Sequence, residues 1–161
     1  MESREPSPVQ VERMRLDDLS GVLEVERLSY QTPWSRRAFV SELTENAYAH
    51  YIVAKSRGRV VGYTGLWLIL DEAHITNVAV HPDFRGCGIG RLLMQSAIDL
   101  IDEHHCPKIT LEVRRTNLVA QHLYKSFGFQ MAGVRKGYYT DNGEDAFIMV
   151  RDTTKPLAGG D

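Results

Sequence analysis

Arg85-Gly86-Cys87-Gly88-Ile89-Gly90 lies between a strand-like stretch, Ala73 to Val80, and a helix-like one, Gly88 to His104. Three glycines in five positions let backbone approach a ligand closely. The helix that follows begins with unpaired N–H groups and the positive end of its dipole. Strand, glycine-rich turn and helix N-terminus together form an anion cradle, usually for phosphate. The spacing excludes two familiar loops. A dinucleotide fingerprint needs G-x-G-x-x-G, and here the glycines fall as G-x-G-x-G. A P-loop needs Gly-Lys followed by Ser or Thr, and Gly90 is followed by Arg91 and Leu92. Read from the glycines alone, the stretch is either a phosphate site or a tight turn that packs a helix onto a sheet.

The rest of the chain sets the limits. Its 161 residues suit one domain, read as 9–152 between flexible tails at 1–8 and 153–161. Hydrophobic residues make up 43% and charged ones 25%, as in ordinary globular proteins. A net charge of −2 argues against a nucleic-acid partner, since such domains are usually basic. No apolar run reaches the ~18 residues of a membrane span, and the polar start, Met1 to Glu5, lacks a signal-peptide core. Cys87 and Cys106 have no partner pattern, so a cytoplasmic setting is expected. His104-His105-Cys106 reads as a helix C-terminus stopped by Pro107 rather than a metal site, and no metal is expected.

Outward from the loop, alternation predicts strands at Val9–Leu16, Tyr51–Lys55, Val60–Leu70, His74–Val80, Lys108–Val113, Phe129–Arg135 and Asp145–Val150. Arg57-Gly58 predicts a hairpin. Helices are expected from Asp17 or Asp18 to Leu28, from Ser35 to Glu45, across Gly88–His104 with Ile89, Leu93, Ala97 and Leu100 inward, and after an Asn117 cap with Ala120, Leu123, Tyr124 and Phe127 inward. Gly128 fits the end of the last helix. Strand, loop, helix, strand, helix at the centre calls for an α/β fold with a mixed sheet and helices on its faces.

Three segments in order resemble the GCN5-related N-acetyltransferases (GNAT): Asn77-Val78-Ala79-Val80-His81-Pro82, the run from Arg85 to Gly90, and Leu123-Tyr124-Lys125-Ser126-Phe127-Gly128-Phe129. Arg85, Gly88 and Gly90 match that family's acetyl-CoA loop, [QR]-x-x-G-x-[GA]. Pro33-Trp34-Ser35, Asp71-Glu72-Ala73, Leu111-Glu112-Val113-Arg114 with Asn117, and Gly137-Tyr138-Tyr139 leading to Glu144-Asp145-Ala146 are similar to the RimI type within the family. That subgroup acetylates the N-terminal alanine of a small-subunit ribosomal protein. The resemblance implies a partly splayed sheet, acetyl-CoA as co-substrate, and direct attack in a ternary complex.

The loop then has a ligand, since acetyl-CoA carries a pyrophosphate. Backbone N–H groups of Arg85, Gly86, Cys87, Gly88, Ile89 and Gly90 are its expected cradle, with a side chain at Gly88 or Gly90 standing in the way. Val78, Ala79 and Val80 are expected to offer backbone to the pantetheine arm. Asn117 caps a helix, touches that arm, or does both. Cys87 reads as a small loop side chain rather than a nucleophile.

Acyl transfer to an amine needs a base for the ammonium and a proton at the leaving thiolate. An α-amine releases its proton about two pKa units more easily than a lysine. Glu112, a charge within an apolar strand, is the candidate base; the bland alternative pairs it with Arg114 or Arg115. Tyr124 is the candidate acid by resemblance, against simple core packing. Tyr30, Trp34, Tyr138 and Tyr139 resemble the frame of an N-terminal peptide, and ordinary packing is the alternative. Asp71 and Glu72 could greet a basic peptide. The expected partner is a protein N-terminus of a ribosomal protein, without nucleic acid or membrane, for a monomer or weak dimer. A small-amine acetyltransferase of the same fold and a non-catalytic acyl-CoA sensor are the competing readings.

Overall fold

A computed structural model describes residues 8–154. Seven strands hydrogen-bond in the order β1-β2-β3-β4-β5-β7-β6: β1 (Val9–Arg13), β2 (Ala49–Ser56), β3 (Arg59–Ile69), β4 (Glu72–Val80), β5 (Lys108–Arg114), β6 (Gln130–Arg135) and β7 (Ala146–Asp152). Four α-helices accompany them: α1 (Leu19–Ser29), α2 (Arg36–Thr44), α3 (Ile89–Glu103) and α4 (Leu118–Ser126). The sheet is mixed, as expected: β4 and β5 run parallel, while β1–β2, β5–β7 and β6–β7 are antiparallel. No helix among the described residues is long and apolar enough to cross a membrane.

The described chain forms two compact units, one of residues 8–65 with 77–97, the other of 66–76 with 98–154. The first contains β1, β2, α1, α2, most of β3, the second half of β4 and the start of α3. Its core gathers Leu19, Val22 and Val25 of α1, Phe39 of α2, and Tyr51 and Tyr63 of the strands. Ser35 caps α2 by accepting the Ala38 N–H at 3.1 Å. The β2–β3 turn holds Arg57 and Gly58 at φ of 52° and 78°, the pairing that a two-residue hairpin of matching twist demands.

Two local readings change here. β1 stops at Arg13 rather than Leu16, because Asp18 takes the Arg15 N–H at 2.8 Å and turns the chain. Asp18 makes no side-chain cap for α1; that carboxylate instead meets Lys55 at 2.7 Å.

The second unit holds the start of β4, the end of α3, and β5, α4, β6 and β7. Burial alternates strictly along β5, with Ile109, Leu111 and Val113 inward. Thr110, Glu112 and Arg114 therefore share the other face. α3 buries Ile101 fully where Leu100 was expected, since steps of four from Ile89 through Leu93 and Ala97 arrive at 101. Past Glu103, His105 takes φ of 57° and Cys106 is buried, its thiol toward the Leu70 carbonyl at 3.7 Å. The tails lie outside the described residues except for Pro8, Thr153 and Thr154, and Thr153 donates its N–H to the Pro107 carbonyl at 2.9 Å.

Candidate active site

In the first unit the loop after β4 is built for close approach. Gly86 and Gly88 sit at φ of 78° and 83°, where residues with a Cβ are strained. A Cβ at either would meet nothing within 4 Å, so the loop surface is open. Gly90 lies inside α3 without a positive φ, so the conformational demand falls on Gly86 and Gly88 instead. Ile89 is buried to 3% exposure and turns its side chain into the core, leaving its backbone to the loop. The Cys87 side chain is exposed, its thiol near the Arg85 carbonyl at 3.8 Å. Arg85 folds back over β4, donating from Nε to the Val80 carbonyl at 3.0 Å.

Ala79 also points its methyl into the core, at 5% exposure. Beneath it Gly62 is a contact glycine: a Cβ there would stand 2.9 Å from the Ala79 carbonyl, 3.1 Å from Leu93 and 3.3 Å from Ile89. The Tyr30 hydroxyl donates to the Val78 carbonyl at 3.4 Å, bringing the α1–α2 turn to the strand. Trp34 stacks at a tilt on Phe39, 5.3 Å between centroids, and stays 36% exposed.

A buried network that sequence reasoning missed underlies that turn. Glu26, 2% exposed, accepts the Trp34 N–H at 2.9 Å and the Tyr63 hydroxyl. Asn77 donates its side-chain amide to the same hydroxyl at 3.1 Å, and its carbonyl accepts from Thr64 at 2.9 Å. Burial pushes the Glu26 carboxyl up, against its two donors, and raises the Tyr63 phenol strongly. The signal was present: an acid on the same helical stripe as Leu19 and Val22.

In the second unit Glu112 follows Leu111, whose pairing with Ile75 is the last of the β4–β5 register. Its side chain is 13% exposed. Neither Arg114 nor Arg115 is its partner. His74 Nε2 lies 3.2 Å from Oε2, and Arg135 Nη1 lies 3.4 Å from Oε1. Arg114 is drawn away to Asp141 at 2.7 Å and Glu144 at 3.1 Å, and its guanidinium stacks 3.9 Å over Tyr139. Tyr138 meets Tyr139 edge-on at 5.1 Å and lies under Arg135 at 4.5 Å. The two tyrosines, two arginines and Glu112 thus form one connected group. Burial pushes the Tyr139 phenol up to about 12, offset in part by Arg114. Glu144 also accepts from the Thr116 hydroxyl and N–H, and these bonds hold its carboxyl down at about 2. Of the two acids weighed for a basic peptide, Glu72 meets Lys108 at 3.6 Å.

Asn117 caps α4 by accepting the Ala120 N–H at 3.1 Å. At the other end Gly128, at φ of 93°, donates to the Lys125 carbonyl and Phe129 to the Tyr124 carbonyl, a complete Schellman closure. The closure sets the Phe129 ring 6.1 Å from that of Tyr124. Tyr124 is 8% exposed, and among the described residues its hydroxyl has no hydrogen-bond partner. Burial, with Tyr139 nearby, pushes this phenol well up.

The acetyltransferase (GNAT) profile matches residues 19–129. The chain belongs to the GNAT acetyltransferase family. A Bacillus subtilis (strain 168) protein provisionally named as a ribosomal protein bS18-alanine N-acetyltransferase is 49% identical over 86% of this chain and 92% of its own. The Escherichia coli (strain K12) enzyme of that name is 34% identical over 86% of this chain and 94% of its own. The crystal structure of the E. coli ribosomal-protein-S18-alanine N-acetyltransferase superposes with a TM-score of 0.83 at 30% identity, covering 92% of this chain and 96% of that one. This GNAT chain thus shares the fold and nearly the full length of N-acetyltransferases of one named activity.

Proposed function

We propose that this acetyltransferase moves the acetyl group of acetyl-CoA onto the N-terminal alanine of ribosomal protein bS18 in the cytoplasm. The observation that carries the substrate is the identity of 34% to 49%, over about nine-tenths of their length, to relatives named for that reaction.

Residue chemistry supports the reading. The open loop at Gly86 and Gly88 suits a pyrophosphate, with backbone N–H groups and the α3 dipole as its partners. Tyr30, Trp34, Tyr138 and Tyr139 offer aromatic surface for the peptide. Glu112 takes a proton from the α-ammonium, through water, and frees the nitrogen lone pair. The nitrogen attacks the thioester carbonyl, the C–N bond forms, the C–S bond breaks with its electrons on sulfur, and the nitrogen gives its surplus proton to water, leaving a neutral amide. Tyr124 meets that sulfur with its hydroxyl. A thiol has a pKa near ~8.5 and an ordinary phenol near ~10. A phenol raised further by burial stays protonated, so Tyr124 acts as a hydrogen-bond donor to the thiolate before any full transfer.

The test is acetyl transfer to a panel read by mass spectrometry. It holds the N-terminal hexapeptide of the organism's own bS18, the same peptide with a blocked α-amine and a free internal lysine, and a set of small amines. Labelling of the free α-amine peptide is expected. Labelling of small amines alone overturns the substrate and keeps the acetyltransferase. Silence with CoA binding intact favours a sensor.

A further inference from the structure

His74 stands directly opposite Thr110 in the parallel β4–β5 pairing. Its ring spans two residues of β5 that share a face. Nδ1 lies 2.9 Å from the Thr110 hydroxyl, and Nε2 lies 3.2 Å from Glu112 Oε2. Trp67 flanks the imidazole at 6.1 Å between ring centroids. Neither the alternation that marked β5 nor the loop motif singled His74 out.

We propose that His74 is a positioning residue for Glu112, an inference that rests on Glu112 being the base. The Thr110 hydroxyl donates to Nδ1, which fixes the neutral tautomer with its proton on Nε2, and that N–H donates to the carboxylate. A glutamate side chain has three rotatable bonds, and a base must be held near its target to be effective. Arg135 tethers the other oxygen from β6, and the Glu112 charge is close enough to help hold the Tyr139 phenol of the neighbouring loop up. Of the two side chains that meet the carboxylate, His74 and Arg135, His74 is the one held by a hydrogen bond to a residue of the base's own strand. Each carboxylate oxygen keeps a lone pair for water or ammonium after accepting one donor.

An alternative is that His74 merely helps hold β4 on β5. Kinetics separate the two, because residues acting as a unit are non-additive when removed together. His74→Ala is expected to lower kcat about tenfold, the size of one hydrogen bond to a charged group, with KM for both substrates within about twofold. His74→Gln carries an amide N–H to the place of Nε2 and recovers most of the rate. Added to Glu112→Gln, His74→Ala is expected to cost nothing further. Long-range 15N–1H spectra of the imidazole give a readout apart from activity: Nε2 protonated, Nδ1 bare, and a signal that moves in Glu112→Gln and in Thr110→Val. A loss that multiplies onto that of Glu112→Gln, an unaffected kcat in His74→Ala, or the opposite tautomer overturns the proposal. If Glu112→Gln itself leaves the rate unchanged, the base assignment falls first, and the His74 role falls with it.

Discussion

The Trp34 N–H donates to Glu26 at 2.9 Å, so the turn between α1 and α2 hangs from a carboxylate buried beneath it. That carboxylate also receives the Tyr63 hydroxyl, which in turn accepts from Asn77 of β4. A turn proposed to frame the peptide and a strand proposed to meet the co-substrate therefore share one buried acid.

Replacing that acid by alanine leaves an amide and a phenol without their acceptor, and each unsatisfied buried donor costs about 1–3 kcal/mol. Glu26→Ala is expected to lower the urea midpoint clearly, and Glu26→Gln much less. The carboxyl is raised above its ordinary 4.5, chiefly by burial. Its contribution to stability is therefore full below that value and fades as pH rises through the folded one. The difference in urea midpoint between wild type and Glu26→Gln should shift against wild type from pH 4.5 upward. A difference independent of pH would contradict the assignment.

Tyr124→Phe removes one oxygen and keeps the ring. If the hydroxyl stabilises a thiolate, the loss in kcat is the value of one charge-assisted hydrogen bond, ~1.5–3 kcal/mol or roughly 10- to 100-fold. Glu112→Gln should cost 10²–10⁴-fold, the range of a general base. Steady-state rates with the bS18 peptide check both, and an unchanged Tyr124→Phe rate would return that residue to the core.

Gly62→Ala places a methyl 2.9 Å from the Ala79 carbonyl, a backbone atom that cannot swing aside. Overpacking of this kind costs about 1–3 kcal/mol. Because the same methyl crowds Ile89, the first residue of α3, KM for acetyl-CoA is expected to rise together with the fall in thermal midpoint. Calorimetry and initial rates on one preparation read both.

Glu144 has its carboxyl lowered to about 2 by Thr116 and Arg114. Its stabilisation is present above 4.5 and lost as pH falls toward 2. Wild type should therefore lose thermal midpoint over that interval faster than Glu144→Gln does. The variant should also loosen the Arg114–Tyr139 stack, seen as a rise in KM for the peptide alone.

What could be read ahead of the structure was local. Ser35 and Asn117 carry their cap chemistry in their side chains, and Arg57-Gly58 names its own turn. Asp18 has the same cap chemistry and does otherwise, because Lys55 of β2 competes for it across 37 residues of sequence. Glu112 was legible as an anomaly, but its partners were not. Arg114, on the same strand face, is claimed by Asp141 and Glu144, and His74 and Arg135 arrive through strand pairing that no local pattern encodes. The glycine loop was legible as a loop. Which glycines bear the strain was not, because Gly90 counts toward the motif while lying inside the helix.

The Schellman closure of α4 gives Tyr124 two separate owners. The fold uses its carbonyl and its ring, and phenylalanine would serve for both. Only the proposed chemistry uses the oxygen at the tip. A descendant chain that had abandoned acetyl transfer could drift from tyrosine to phenylalanine at 124 without structural penalty, whereas loss of the ring itself would be resisted in active and inactive lineages alike. That single atom is thus a record of whether catalysis is still under selection, and an aromatic residue at the position is not.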